Sequence, residues 1–250
     1  MKLSGNTILI TGGSSGIGRQ FARQFHALGN FVIITGRRMD ALQETIGERD
    51  NMQAYQLDMT DADAIAEFAK QITTTHPGLN ILMNNAGIMR PENLKAENID
   101  TADAQLTIAT NLLAPIQLGY ALLPHLRTTQ NAAILNVTSG LAFTPLFATP
   151  TYNATKAALH SWTLSLRGQF EKEIDIIEII PPGVQSDIME GHADDPAMMT
   201  MDDFITETMH NFHETPVPLE NCVERVLFLR NAEKENRLEQ TMHTLNALHR

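Results

Sequence analysis

Short β-branched runs alternate with longer stretches of helical periodicity from residue 7 to residue 180, and that alternation most limits what the chain can fold into. A strand that pairs in parallel with its predecessor needs a crossover, normally a helix, so the pattern specifies βαβ units around a parallel sheet. Strands are expected over 7–10, 31–35, 52–57, 79–83, 132–138 and 174–180, the third being the weakest. Helices are expected over 16–28, near 39–46, over 61–74 and over 152–170, with another from about 101 to 127 that is interrupted near Asn111 and Pro115. Pro181-Pro182 stops the sixth strand. Residues 186–216 are rich in Met, Asp and His with no clear period, and the pattern from 217 onward is helical. No seventh strand is visible. The expected fold is α/β: a doubly wound parallel sheet of about six strands flanked by helices, all in one domain spanning 1–250.

A length of 250 residues suits one sizeable domain with a proper core. The formal charge of -11 disfavours nucleic acid and anionic lipid as partners. Cys222 is the single cysteine, so neither an internal disulfide nor a thiolate metal cluster is expected, and no metal is assigned. The chain runs from Met1 into its first strand without a signal-peptide pattern, and no apolar run approaches the roughly eighteen residues of a spanning helix. A cytoplasmic setting is expected.

Between the first strand and its helix stands Thr11-Gly12-Gly13-Ser14-Ser15-Gly16-Ile17-Gly18. Glycines there allow a tight turn and let backbone N–H groups reach a phosphate at the positive end of the helix. Its spacing differs from the common Gly-x-Gly-x-x-Gly, and by itself such a turn is also explained by backbone geometry alone. After the second strand, Gly36 is followed by Arg37 and Arg38 where NAD enzymes usually place an acid. A guanidinium can clamp a 2′-phosphate, which favours NADP(H) over NAD(H); a solvated arginine pair is the competing reading. Asp58 suits a hydrogen bond to an adenine amino group or, alternatively, a turn cap. Asn85-Ala86-Gly87 closes the fourth strand at the edge where such sheets bind ligands, and is otherwise a plain strand-to-loop turn.

Tyr152 and Lys156 stand four residues apart, and Ser139 ends the fifth strand before them. On a helix, residues i and i+4 share a face, so an ammonium lies beside the phenol and is expected to lower its pKa from about 10. Such a tyrosine can exchange a proton with a carbonyl oxygen. The chain has only three tyrosines, so coincidence with a phosphate turn argues against a packing tyrosine and a surface lysine. Asn111 is a fourth candidate.

Together these residues resemble the short-chain dehydrogenase/reductase family over roughly 6–188, and 137–143 with 154–161 resemble its DltE-like bacterial oxidoreductase branch. The resemblance implies a single Rossmann-type domain, from whose usual form the chain is expected to depart by carrying a helical carboxyl-terminal segment in place of the seventh strand. It implies a catalytic tetrad of Asn111, Ser139, Tyr152 and Lys156. It implies a cofactor site made of Gly12, Ser14, Ser15, Gly16, Ile17, Gly18, Arg37, Arg38, Asp58, Asn85, Ala86, Gly87, Tyr152, Lys156, Pro182, Gly183, Val184 and Ser186. The implied reaction interconverts a small-molecule carbonyl and a secondary alcohol with a nicotinamide cofactor. A catalytically silent nucleotide-binding sensor on the same fold is the alternative, as is an epimerase or dehydratase of the extended branch. Without a seventh strand, a homodimer is expected ahead of a tetramer. Leu141, Phe143, Pro145, Leu146 and Phe147 are expected to wall the substrate site, and 187–216, with Met198, Met199 and Met201, to form a lid on the substrate side.

Overall fold

The computed structural model describes residues 1–189 and 191–247. Its strands are β1 (Thr7–Thr11), β2 (Phe31–Gly36), β3 (Met52–Gln56), β4 (Leu79–Asn84), β5 (Ala133–Val137), β6 (Asp175–Ile180) and β7 (Glu220–Cys222). The helices are α1 (Gly16–Ala27), α2 (Met39–Ile46), α3 (Ala62–Thr75), α4 (Ala102–Ile108), α5 (Ala114–Leu126), α6 (Pro150–Gln169), α7 (Met201–Phe212), α8 (Glu224–Arg230) and α9 (Leu238–Ala247). A π-helical turn, Ala109–Leu113, joins α4 to α5. All strands pair in parallel in the order β3-β2-β1-β4-β5-β6-β7. The chain starts in the middle, winds out to β3, then returns to place β4 beside β1. A reversal of this kind opens a crevice at the carboxyl ends of those two strands.

Both faces of the sheet are covered, which is why its strands read as apolar runs rather than alternating ones. One core layer joins Phe21 and Phe25 of α1 to Phe204 and Phe212 of α7. The other joins Phe68 of α3 to Leu118, Leu122 and Leu126 of α5 and Leu166 of α6.

The structure corrects two sequence expectations. The sheet has seven strands: β7 pairs with β6 through Glu178↔Glu220, Ile179↔Asn221 and Ile180↔Cys222. Three polar residues carry no strand signature; Asn221 is buried and donates to Thr208 O at 3.0 Å, so α7 holds the strand from outside the sheet. The preference for a dimer over a tetramer loses the missing strand as its premise. Second, Ala102–Leu126 forms one helical run long and apolar enough by composition to cross a membrane. The π turn at Asn111 does not break it as expected. Its apolar face is spent on the core, with Leu118, Leu122 and Leu126 fully buried.

Candidate active site

The turn after β1 is shaped by contacts that leave no room for side chains. A Cβ on Gly12 would lie 2.8 Å from Ala86 Cα, and one on Gly18 only 2.4 Å from both Asn85 Nδ2 and Gly12 O. Asn85 locks the turn by donating to Thr11 O at 2.9 Å and Gly12 O at 3.3 Å. Thr11 Oγ1 accepts from the backbone of Asn85 and Ala86 at 3.1 and 3.0 Å. Gly16 has φ +52° and opens α1, but a Cβ there would meet nothing closer than Ser186 Cβ at 3.8 Å. The space before the helix N-terminus is thus left free for an anion, where unpaired N–H groups point. A cradle of this form fits the diphosphate of a dinucleotide.

A cleft of about 690 Å³ runs from this turn across the sheet edge. Every cofactor residue inferred from sequence lines it: the turn from Gly12 to Gly18 apart from Gly13, Arg37 and Arg38, Asp58, Asn85 to Gly87, and Pro182, Gly183, Val184 and Ser186. Gly13 packs on β2 instead, where a Cβ would stand 2.6 Å from Ile34 Cβ. Arg37 is exposed at the mouth, beside Arg38 at the start of α2. Asp58 also does the job of a turn cap, accepting from Thr60 N at 2.9 Å and Thr60 Oγ1 at 2.8 Å. Those hydrogen bonds, then the charge of Arg37, hold its carboxyl below the usual range.

Ser139, Tyr152 and Lys156 line the same cleft. Ser139 lies close enough to the Tyr152 hydroxyl to favour its ionised form, while its own Oγ accepts from Leu141 N at 3.1 Å. Burial pushes the phenol up to about 12, opposed by the nearby Ser139 hydroxyl. The expected lowering by Lys156 is therefore not what the structure presents. The ammonium sits 5.7 Å from the ring centroid and donates to Val137 O at 2.8 Å. Burial brings Lys156 itself down to about 8, opposed by the charge of Glu178.

Asn111 does not line the cleft. Its side chain accepts from Ile88 N at 2.9 Å and donates to Ile88 O at 2.8 Å, pinning the π turn to the loop after β4. A Cβ on Gly87 would stand 3.4 Å from Asn111 Oδ1 and 3.6 Å from Lys156 Nζ, so Asn111 and Lys156 converge behind that loop.

The substrate end differs from expectation in its walls. Leu141 and Leu146 line it, but Phe143 packs on His160 and beneath Arg230, and Phe147 is 62% exposed on the outer surface. Pro145 lends only its carbonyl, which accepts from Asn246 Nδ2 at 3.1 Å. Met89, Ile188 and Leu245 of α9 join the apolar cluster around Tyr152 instead. Of the expected lid, Met198 faces the cleft, whereas Met199 and Met201 pack with the core and α7 is anchored by buried Phe204 and Phe212. Thr11, Met89 and Leu245 were not singled out from sequence. Thr11 carried a signal, a hydroxyl ending β1 against the glycine turn; Leu245 carried none, because it lies about ninety residues from Tyr152 in the chain.

The family model for short chain dehydrogenase matches residues 6–197. Over 251 aligned residues the chain is 36% identical to the uncharacterized oxidoreductase DltE of Bacillus subtilis, covering 98% of this chain and 99% of that protein. It is 32% identical to the NADP-dependent 3-hydroxy acid dehydrogenase YdfG of Shigella flexneri, over 71% of each chain. The crystal structure of a short-chain dehydrogenase from Streptomyces avermitilis superposes with a TM-score of 0.81 at 22% identity, covering 94% of this chain and 95% of that one.

Proposed function

We propose, from the premise that the chain belongs to the short-chain dehydrogenase family and to its DltE-like branch, that it interconverts a carbonyl and a secondary alcohol with a nicotinamide cofactor. One observation carries the reading: Ser139, Tyr152 and Lys156 line the same cleft as the glycine turn. When bound, the nicotinamide supplies or accepts the hydride. The turn from Gly12 to Gly18 would hold the diphosphate, Asp58 the adenine, and Asn85, Ala86 and Gly87 the ribose beside the backbone. Pro182, Gly183, Val184 and Ser186 would border the nicotinamide, and Lys156 would hold its ribose. Arg37 and Arg38 would meet a 2′-phosphate, so NADP(H) is favoured over NAD(H); the NADP dependence of the Shigella relative supports this.

Ser139 would bind the substrate oxygen and set its angle. Tyr152 would donate its proton to that oxygen in reduction and take it back in oxidation. Burial keeps the phenol protonated at neutral pH, the form required of an acid. Asn111 fixes the loop against which Lys156 rests. The walls of Met89, Leu141, Leu146, Ile188 and Leu245 suit an apolar or amphiphilic substrate. The protein acts as one domain in the cytoplasm, with the cleft-facing part of 187–216 closing over the substrate.

Tyr152→Phe keeps the ring and removes the exchangeable proton. Turnover on a ketone found by an NADPH absorbance screen should fall about 10² to 10⁴-fold with cofactor binding retained. Near-normal kcat in this variant would overturn the assignment.

A further inference from the structure

Tyr152, Lys156 and His160 stand at successive four-residue steps on one face of α6, yet only the first two line the cleft. The third turns to a carboxylate that the mechanism above does not use. Glu178 of β6 is completely buried. Its Oε1 accepts from Thr138 Oγ1 at 2.7 Å, and Oε1 and Oε2 lie 3.0 and 2.8 Å from His160 Nδ1. A carboxylate stripped of water in this way needs fixed donors and a nearby cation.

The groups packed around it come from three elements, α6, β7 and α8. Glu220 of β7 is its register partner and is held by Arg230 of α8 through two bonds of 2.9 Å. Arg167 of α6 spends its nitrogens on the carbonyls of Ile176 and Leu219. Cys222 of β7 is pushed up to about 12 by burial and stays a neutral thiol. His160, Glu178 and Glu220 offer one ligand atom each within 4.8 Å, but Arg230 occupies Glu220 while Thr138 and His160 occupy Glu178, so the group is an ion network. The charge of Glu178 also reaches Arg167 and Arg230, but Arg230 is paired with Glu220, and of the three cations only Lys156 lines the cleft. Lys156 is buried and in no ion pair among the described residues; its ammonium donates to the neutral carbonyl of Val137 at 2.8 Å and sits 5.7 Å from the Tyr152 ring centroid. Val137 precedes Thr138, the residue that Glu178 holds, and Ser139 follows it.

We propose that Glu178 is the fixed counter-charge of Lys156 and a positioning residue for the strand end that carries Ser139, with Thr138 and His160 clamping its carboxylate. The purpose of this arrangement rests on the oxidoreductase reading; its test does not. Glu178 helps Lys156 keep its proton against burial, so that the ammonium persists at the pH where the cleft must bind cofactor. His160 is half-buried and holds the carboxylate from the side away from the cleft lining.

The test follows the ¹³Cε resonance of Lys156 in unliganded protein from neutral to alkaline pH, identified by its loss in Lys156→Arg. Glu178→Gln keeps the shape and an acceptor for Thr138 but removes the charge, so the Lys156 midpoint should fall by about one pH unit. Glu178→Asp, which keeps the charge, should recover much of that fall. Should Gln at this position prevent folding, the paired change Glu178→Leu with Thr138→Val removes the charge without leaving the threonine hydroxyl unpaired, and the midpoint should fall at least as far. A midpoint that does not move in the neutral variant that folds overturns the proposal. Turnover plays no part in this readout, so absence of NAD(P)H-dependent turnover by the unmutated protein on any ketone or secondary alcohol would remove the oxidoreductase reading and leave this one standing.

Discussion

Replacing Lys156 by methionine should make the free protein more stable at neutral pH while abolishing its activity. Burial brings the ammonium from the ordinary 10.5 down to about 8. The unfolded chain therefore binds the extra proton between those values, and stability rises with pH across that window. At pH 7 the charged lysine costs about 3 kcal/mol of folding free energy, falling to about 1 kcal/mol by pH 10. The attraction of Glu178 is already contained in that value. Methionine fills a similar volume without charge, but leaves Val137 O without its donor, a loss of about 1 kcal/mol. The variant should thus gain about 2 kcal/mol at pH 7, or roughly 4–8 °C in Tm. The gain should vanish near pH 10. Urea unfolding of both proteins without cofactor at several pH values measures the difference, in which most other titrations cancel. A difference that stays constant across the range, or a variant less stable at pH 7, would refute the reasoning.

Arg37→Ala should weaken NADPH binding and leave NADH binding nearly unchanged in calorimetric titration; tighter NADH binding by the unmutated protein would reverse the cofactor preference. Gly18→Ala should cost about 1–3 kcal/mol in thermal melts, because the new Cβ would stand 2.4 Å from backbone and side-chain atoms that lock the turn. Leu113 on the π turn, Tyr120 on α5 and Leu164 on α6 are exposed, and Tyr120 leans on Trp162. A two-fold pairing would bury this patch on both subunits, so light scattering should report an oligomer at micromolar concentration and Tyr120→Glu should lower its mass by half. Hydrogen exchange should show the cleft-facing stretch up to Met198 slowed by cofactor and ligand, while α7 stays protected in both states; equal strong protection throughout would mean the segment does not close.

Strands buried on both faces announce themselves as apolar runs, so β1, β2, β4, β5 and β6 were legible within a residue or two, and so were the helices between them. β7 was not. Its three residues are Glu, Asn and Cys, and they become a strand only because Asn221 is caught by α7 and Glu220 by Arg230. Likewise, Met199 and Met201 read as lid residues until α7 is seen anchored between α1 and the sheet by Phe204 and Phe212. Both errors share a cause: the last third of the chain takes its structure from tertiary contacts, which no local period encodes.

The site was legible as a set of residues but not as an electrostatic arrangement. Spacing puts Tyr152 and Lys156 on one helical face, and from spacing alone the ammonium should act on the phenol. Folding adds two terms that spacing omits. Burial of both groups moves the tyrosine up and the lysine down, which brings their proton affinities apart in the wrong order for a phenolate. The second term is Glu178, a glutamate in an isoleucine-rich strand that reads as an interruption of the apolar run. Its meaning depends on His160, one turn beyond Lys156, and on Thr138, one residue before Ser139. Each lies beside a residue that was singled out, so the sequence signal was adjacency to the tetrad. A polar residue inside a strand otherwise buried on both faces is costly unless the fold uses it. Here the use that the geometry offers is to keep one ammonium charged in a place that opposes it.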